Sequence, residues 1–116
     1  MKKPELPQLN ADISQLSQAL SKEVWLQFQR DLVKIGQRND QTEEAQMSVN
    51  ELLSGILSTL IQLERERQER FWQLLYVVDL PEAYLENIEL SEKGLEECAR
   101  IVLIREWQKV ILRQHF

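Results

Sequence analysis

The side chains that most often carry out catalysis are scarce in this sequence and do not converge. His115 is the one histidine and Cys98 the one cysteine. His115 stands near the end of the sequence, where an exposed side chain is expected rather than a general base, and Cys98 beside Ala99 suits a small packed core residue. The sequence contains no Gly-rich phosphate loop, no Glu-x-x-His pair and no EF-hand spacing. It therefore predicts a protein that is not an enzyme and that holds no cofactor and no metal.

Like charges gather in two places, and both fit a solvated helix surface. Residues 79–97 contain seven acids and one lysine, which would suit a cation or a basic partner, but acids near helix N-termini also complement the helix dipole. Arg105, Lys109 and Arg113 form a basic stripe near a predicted helix C-terminus, where the same dipole favours cations. The formal charge of −5 opposes binding to phosphate backbones. No nucleic-acid partner is therefore predicted, and a nucleic-acid regulator is kept only as a third hypothesis.

Residues 64–70, which read ERERQER, place six charges in seven positions between two apolar stretches. Opposite charges three or four residues apart stabilise a helix by about 0.2 to 0.5 kcal/mol per pair, and this explains most of the charged segment. Glu64 and Arg67, however, fall on the apolar stripe in line with Leu60 and Phe71, at about 100° per residue. Three interpretations stay open: the two residues are exposed, they form a registry pair beneath a partner helix, or they belong to a ligand site.

Apolar residues recur every three or four positions through most of the chain, which predicts an all-α fold. Residues 1–9 are expected to form an extended N-terminal segment and residues 10–116 a single helical domain. Three long helices and one short helix are predicted to pack as an antiparallel helical bundle. The predicted helices cover about residues 11–35, 49–78, 81–88 and 92–114.

Capping residues support these boundaries. Asn10 suits the N-cap of the first helix, although Ser21 is an alternative internal cap that would divide it. Ser48 and Glu51 have the spacing of a capping box at the start of the second helix, after a polar connector. The apolar stripe resumes at Phe71 on its earlier face, so the second helix is predicted to continue through the charged segment.

The last predicted helix raises the question of what covers it. Residues 101–104 are Ile, Val, Leu and Ile and point in four directions around the axis, so more than one side needs cover. The second helix would also span about 45 Å and overhang its neighbours. A second copy of the chain would satisfy both features, so a homodimer is predicted, and the alternative is a monomer in which the other helices provide the cover. The candidate interface residues are Phe71, Trp72, Tyr76, Ile104, Trp107 and Ile111.

Residues 71–84 form the most aromatic segment of the chain, with two tyrosines, one phenylalanine and one tryptophan. If the protein has a binding groove, its expected place is between this segment and the last helix. The main functional hypothesis is a small helical interaction protein, such as a scaffold, adaptor or regulatory subunit, that contacts a protein partner through helix packing. The alternative is a helical bundle that binds a small apolar ligand or cofactor beside residues 71–84.

Composition also predicts where the protein works. A single cysteine excludes an intramolecular disulfide, and the N-terminal residues lack the apolar run of a signal peptide. No stretch approaches the roughly 20 apolar residues of a membrane span. The sequence therefore predicts a cytoplasmic protein that does not enter a membrane.

Overall fold

The computed structural model describes residues 6–37 and 46–115, and every regular element in these ranges is helical. The predicted all-α fold is therefore confirmed. A short 3-10 turn, Ile13–Gln15, precedes five α-helices. These are α1 (Gln18–Lys34), α2 (Val49–Glu66), α3 (Gln68–Val78), α4 (Glu82–Glu86) and α5 (Glu92–His115).

The first helix begins later than predicted, because two polar side chains hold its start in other conformations. Asp12 Oδ1 accepts a bond from the Ser14 N–H at 3.0 Å, which stabilises the 3-10 turn. Ser17 Oγ then accepts from the Leu20 N–H at 3.1 Å and forms the N-cap of α1. The helix runs unbroken past Ser21, whose own N–H donates to Ser17 O. The predicted start at residue 11 is therefore wrong by seven residues.

The start of α2 matches its prediction in detail. The Glu51 N–H donates to Ser48 Oγ at 3.1 Å and the Ser48 N–H to Glu51 Oε1 at 3.2 Å, so the predicted capping box is confirmed. The Met47 N–H donates to Gln18 O, which places the start of α2 beside the start of α1. Most of the polar connector between these helices, and residues 1–5 of the predicted extended segment, lie outside the described residues.

The second predicted helix does not continue through the charged segment. Arg67 leaves helical geometry, with φ −147° and ψ 69°, and separates α2 from α3. The helical bonding is nearly kept, because the Arg67 N–H donates to Leu63 O and the Phe71 N–H to Arg67 O. A straight helix of about 45 Å would exceed the longest dimension of the described structure, 43 Å. The break at Arg67 divides the predicted long helix into two shorter ones, α2 and α3.

The α5 helix lies at the centre of the fold. The helix contacts α1, α2 and α3, and its residues 101–104 are each no more than 5% exposed within a single chain. The N-terminal segment crosses the same helix, with Arg100 Nη1 donating to Leu9 O and Gln108 Nε2 to Pro7 O. One chain therefore covers α5. The homodimer stays a prediction, but the need to cover the last helix no longer supports it. In the described ranges, no helix is both long and apolar enough to cross a membrane.

Candidate functional site

Two aromatic residues stand out from the surface of α3, one helical turn apart. Tyr76 is 76% exposed, and Trp72 is half-buried beside it. The Trp72 ring rests edge-on against Phe71, with ring centroids 5.2 Å apart and planes at 78°. Because Phe71 is fully buried, this contact fixes Trp72 on the core. Trp72 and Tyr76 together form an aromatic ridge with hollows on both sides.

The larger hollow, the α4 groove, lies between the aromatic ridge, residues 79–86 and α5. Its volume is about 780 Å³. Apolar lining comes from Leu9 of the N-terminal segment, from Leu80 and Pro81 just before α4, and from Leu85 on α4. A groove is therefore present where the sequence predicted one, between residues 71–84 and the last helix.

The smaller hollow, the α1 hollow, lies on the opposite side of the aromatic ridge. It has a volume of about 530 Å³ and lies between α3 and the end of α1. Lys34 and Ile35 line it from α1, and Val77 lines it from α3. Trp72 and Tyr76 line both hollows, so the two sides form one surface across the ridge.

The strongest polar groups in the α4 groove are already bonded to the protein. Arg105 donates through Nη2 to Asp79 Oδ2 at 2.7 Å and through Nε to Asp79 O at 2.9 Å. Its Nη1 donates to Gln108 Oε1, and Gln108 Nε2 donates to Pro7 O. Asp79 adopts a left-handed φ of 69° at the end of α3, which turns the chain toward α4. These groups give the groove its shape and leave the apolar surface as its main means of binding.

Two further acids stand at the rim of the α4 groove. Glu82 and Glu86 are one turn apart on α4, and both are exposed. Among the described residues, neither forms an ion pair. This end of the groove therefore carries two uncompensated negative charges.

The candidate interface residues divide between the surface and the core. Trp72 and Tyr76 form the aromatic ridge, while Trp107 and Ile111 are half-buried on α5 and line neither hollow. Phe71 and Ile104 are fully buried within one chain, so their side chains present no surface to a partner, and the predicted interface stays a prediction. The apolar periodicity that identified them marks the core of the monomer.

The candidate registry pair does not form. Arg67 is exposed at the break between α2 and α3, and Glu64 is half-exposed. In the described chain the two side chains make no ion pair, and Glu64 Oε1 instead accepts a 3.4 Å bond from Gln68 Nε2. Of the three interpretations, exposure fits this geometry.

The buried charges lie elsewhere, at the contact of α1, α3 and α5. Asp31 and Glu106, which we call the acid pair, are both fully buried. Lys109 Nζ lies 2.8 Å from Asp31 Oδ2 and 3.1 Å from Glu106 Oε1, and it donates to Val77 O at 2.9 Å. Lys34 Nζ is 3.4 Å from Asp31 Oδ1. One ammonium therefore joins both acids to the last turn of α3.

Burial separates the proton affinities of the two acids. Loss of hydration, followed by the hydrogen bond to Asp31 and its negative charge, raises the pKa of Glu106 to about 9. Burial also acts to raise the pKa of Asp31, but the hydrogen bond from Glu106 and the ammonium groups of Lys109 and Lys34 outweigh it and lower that pKa. Apart from the nearby ammonium, the Glu106 oxygens have no well-oriented donor among the described residues. The pair therefore holds one proton at neutral pH, carried by Glu106.

The acid pair was not predicted from the sequence, and the basic stripe, whose Lys109 contacts the pair, was expected to be a solvated surface. Each member of the stripe is bonded within the chain: Arg105 to Asp79, Lys109 to Asp31, and Arg113 to Gln27 Oε1 at 2.7 Å. The available signal was the position of the acids. Asp31 follows Phe28 by three residues and Glu106 precedes Val110 by four, so both lie on apolar stripes.

Comparisons of the chain with protein-family models, with curated proteins and with solved structures gave no match. Within residues 6–37 and 46–115, no group of three or more His, Cys, Asp or Glu side chains is arranged to hold a metal ion. The function is therefore inferred from the geometry of the aromatic ridge and its two hollows.

Proposed function

We propose that this protein is an interaction module, an adaptor or regulatory subunit, that docks an amphipathic helix of a partner protein across the aromatic ridge. One observation supports this proposal above the others: Trp72 and Tyr76 rise between two apolar hollows and line both of them. Tryptophan and tyrosine dominate the binding energy of many protein interfaces. A helix with apolar residues three or four positions apart can place one residue in each hollow.

The charges at the rim indicate the chemistry of the partner. Glu82 and Glu86 lack ion-pair partners among the described residues, whereas Arg105 is neutralised by Asp79. A Lys or Arg of the partner helix would meet these two acids beside α4. The net charge of −5 acts in the same direction, because it favours the approach of a basic segment.

A helical-peptide library displayed on phage tests this proposal. Selection on the intact protein should enrich peptides with apolar residues at i and i+3 or i+4 and a nearby Lys or Arg. These peptides should bind about tenfold or more weakly to Tyr76→Ala, and as tightly as before to Val33→Ala, which removes another exposed apolar side chain outside both hollows. Peptides that bind both variants equally would contradict the assigned surface.

The charge preference has its own matched pair of variants. Replacing Glu82 and Glu86 together by Lys should weaken the selected peptides, while the same change at Glu92 and Glu96, also exposed and one turn apart on a helix, should not. Enrichment of acidic peptides would overturn the assigned partner chemistry. Light scattering on the wild-type protein identifies a second copy as the occupant if the mass doubles and Tyr76→Ala restores the monomer. That result would overturn the assignment to a partner protein.

A small apolar ligand is the second candidate, favoured by the volume of the α4 groove, which lies in the range of about 300 to 1,000 Å³ typical of ligand sites. Native mass spectrometry of the purified protein tests it directly. A bound molecule that is lost in Leu85→Arg would favour this candidate, because Leu85 lines the groove from α4. A protein that carries no added mass would leave the partner helix as the occupant.

A further inference from the structure

The acid pair lies directly beneath the surface proposed for docking. Val77, whose carbonyl accepts from Lys109, lines the α1 hollow, and so does Lys34, which pairs with Asp31. The network therefore touches that hollow from two helices. The Val77 residue also directly follows Tyr76 of the aromatic ridge. Val77 therefore connects the acid pair, through Lys109, to the aromatic ridge.

We infer that the acid pair and Lys109 are positioning residues for the docking surface: Glu106 carries a proton beside the Asp31 carboxylate, Lys109 holds the last turn of α3, and loss of that proton weakens docking. The effect on docking rests on the proposed function. The effect on α3 rests only on the contacts of Lys109 with the acid pair and Val77. With the proton present, Asp31 is the charged acid, and it faces Lys109 and the more distant ammonium of Lys34. With the proton removed, Glu106 would be charged as well, and both buried carboxylates would compete for Lys109, which lies within 3.1 Å of each.

The charged groups around the pair determine the direction of this effect. From α1 come Asp31 itself and Lys34. From α5 come Glu106 and Lys109. Arg113 of α5 is more distant: it donates to Gln27, and Gln27 Nε2 lies 3.4 Å from Asp31 Oδ1. From α3 comes the Val77 carbonyl, which is polar but carries no charge.

The ion pairs that Asp31 and Glu106 form in the described ranges are those with Lys109 and Lys34, while Arg113 pairs with Glu23 and donates to Gln27. A second buried negative charge would therefore draw Lys109 away from Val77 or admit water between α1 and α5. Either change releases the last turn of α3, which carries Tyr76.

Nuclear magnetic resonance on the whole protein tests the cause without any partner. The side-chain carboxyl carbon of Glu106 should titrate near pH 9, and the backbone amide signals of residues 76–79 should move with the same midpoint. In Glu106→Gln, which keeps the shape and removes the titration, the movement of those amides should disappear. Titration of Glu106 below about pH 6, or identical amide movement in Glu106→Gln, would overturn the inference.

A selected peptide whose basic residue is arginine tests the consequence, because arginine stays charged throughout the range. From about pH 7 to about pH 9.5, its dissociation constant for the wild-type protein should rise about fivefold or more, and for Glu106→Gln it should rise much less, because any other titration at the surface is common to both proteins. Equal pH dependence in both proteins would overturn the link to docking. If no peptide binds at any pH, the proposed function fails, while the carbon and amide titrations still decide whether the acid pair positions α3.

Discussion

Residues 64–70 and the acid pair both have charges on or beside apolar helix stripes, but the two regions differ in burial. The charged segment has six charges in seven positions, yet Arg67 is exposed where the helix breaks. The acid pair has only two carboxyl groups, yet both are fully buried beside Lys109. The comparison shows that the density of charge in a sequence says little about burial. What matters is whether another helix covers that level of the stripe.

The energetic consequences also differ. Exposed charges interact through water, and a pair of them contributes about 0 to 1 kcal/mol. Buried charges need their partners, because removing one partner leaves the other charge buried and unpaired. This lowers the stability of the fold by several kcal/mol. Four substitutions use this difference to test whether the two regions behave as their burial requires.

The largest effect is expected for Lys109→Met, which keeps the length of the side chain and removes its charge. The Asp31 carboxylate would lose its 2.8 Å partner and Val77 O its donor, at a cost of about 3 kcal/mol in the free energy of unfolding. Urea unfolding at pH 7 measures this loss. The matched control is Lys93→Met on the exposed start of the same helix, which should change the free energy by less than about 0.5 kcal/mol. Equal effects would erase the distinction between the two regions.

A stabilising change of at least about 2 kcal/mol at pH 8 is expected for Glu106→Gln, because linkage costs the wild-type protein about 1.4 kcal/mol for each pH unit above the unfolded pKa and glutamine recovers only part of this. The folded protein keeps the Glu106 proton up to about pH 9, whereas the unfolded chain releases it near the ordinary pKa of 4.5. Unfolding between these values releases a proton, so the stability of the wild-type protein falls as pH rises through that window. Glutamine has no proton to lose and should remove this slope. Thermal unfolding at pH 5 and pH 8 measures the difference, and a gain that is no larger at pH 8 than at pH 5 would argue against a buried neutral Glu106.

An intermediate effect is expected for Arg70→Ala, at the boundary between the two kinds of environment. Arg70 is half-buried, and its Nη1 donates to Gln37 Oε1 at 2.9 Å and lies 3.4 Å from Gly36 O. Losing these bonds to the end of α1 should lower the free energy of unfolding by about 1 kcal/mol. Chemical unfolding compares it with Arg65→Ala, whose side chain is exposed. A loss as small as that of Arg65→Ala would show that the contact with α1 contributes nothing.

The smallest effect is expected for Glu64→Leu. Glu64 makes only a weak bond to Gln68, at 3.4 Å, and Arg67 does not depend on Glu64. The free energy of unfolding, measured from the midpoint of urea unfolding, should therefore change by less than about 0.5 kcal/mol. The double substitution with Arg67→Leu tests the same point, because exposed leucines should promote association without a gain in stability. A loss of several kcal/mol in the single variant, recovered in the double, would restore the registry pair.

Local signals in the sequence predicted the parts of this fold that depend on neighbouring residues. The capping box of Ser48 and Glu51 and the helical periodicity need only residues three or four positions apart. The place of the groove was also predictable, because Trp72 and Tyr76 make the chain near α4 unusually aromatic. The break at Arg67 was not, because the helical bonds on either side are kept and no glycine or proline marks it.

The acid pair could not be predicted from neighbouring residues, because it depends on how two distant helices pack. Asp31 and Glu106 are 75 positions apart, and their meeting requires the pairing of α1 with α5 in one register. Taken singly, each acid resembles the polar edge of an amphipathic helix. The same limit explains the predicted dimer: Ile104 needed cover, and periodicity could not distinguish cover by α2 from cover by another molecule.

The central place of α5 has a consequence for synthesis of the protein. The ribosome makes α1 to α4 before α5, so the apolar faces of α1, α2 and α3 must wait for the 24 residues of α5 to complete their core. At about 5 to 20 residues per second, this interval lasts seconds, long enough for a nascent chain to aggregate or to be bound by a chaperone. A chain truncated before α5 should therefore be recovered as insoluble or chaperone-bound material, whereas a chain that lacks only the N-terminal segment should still reach the native core.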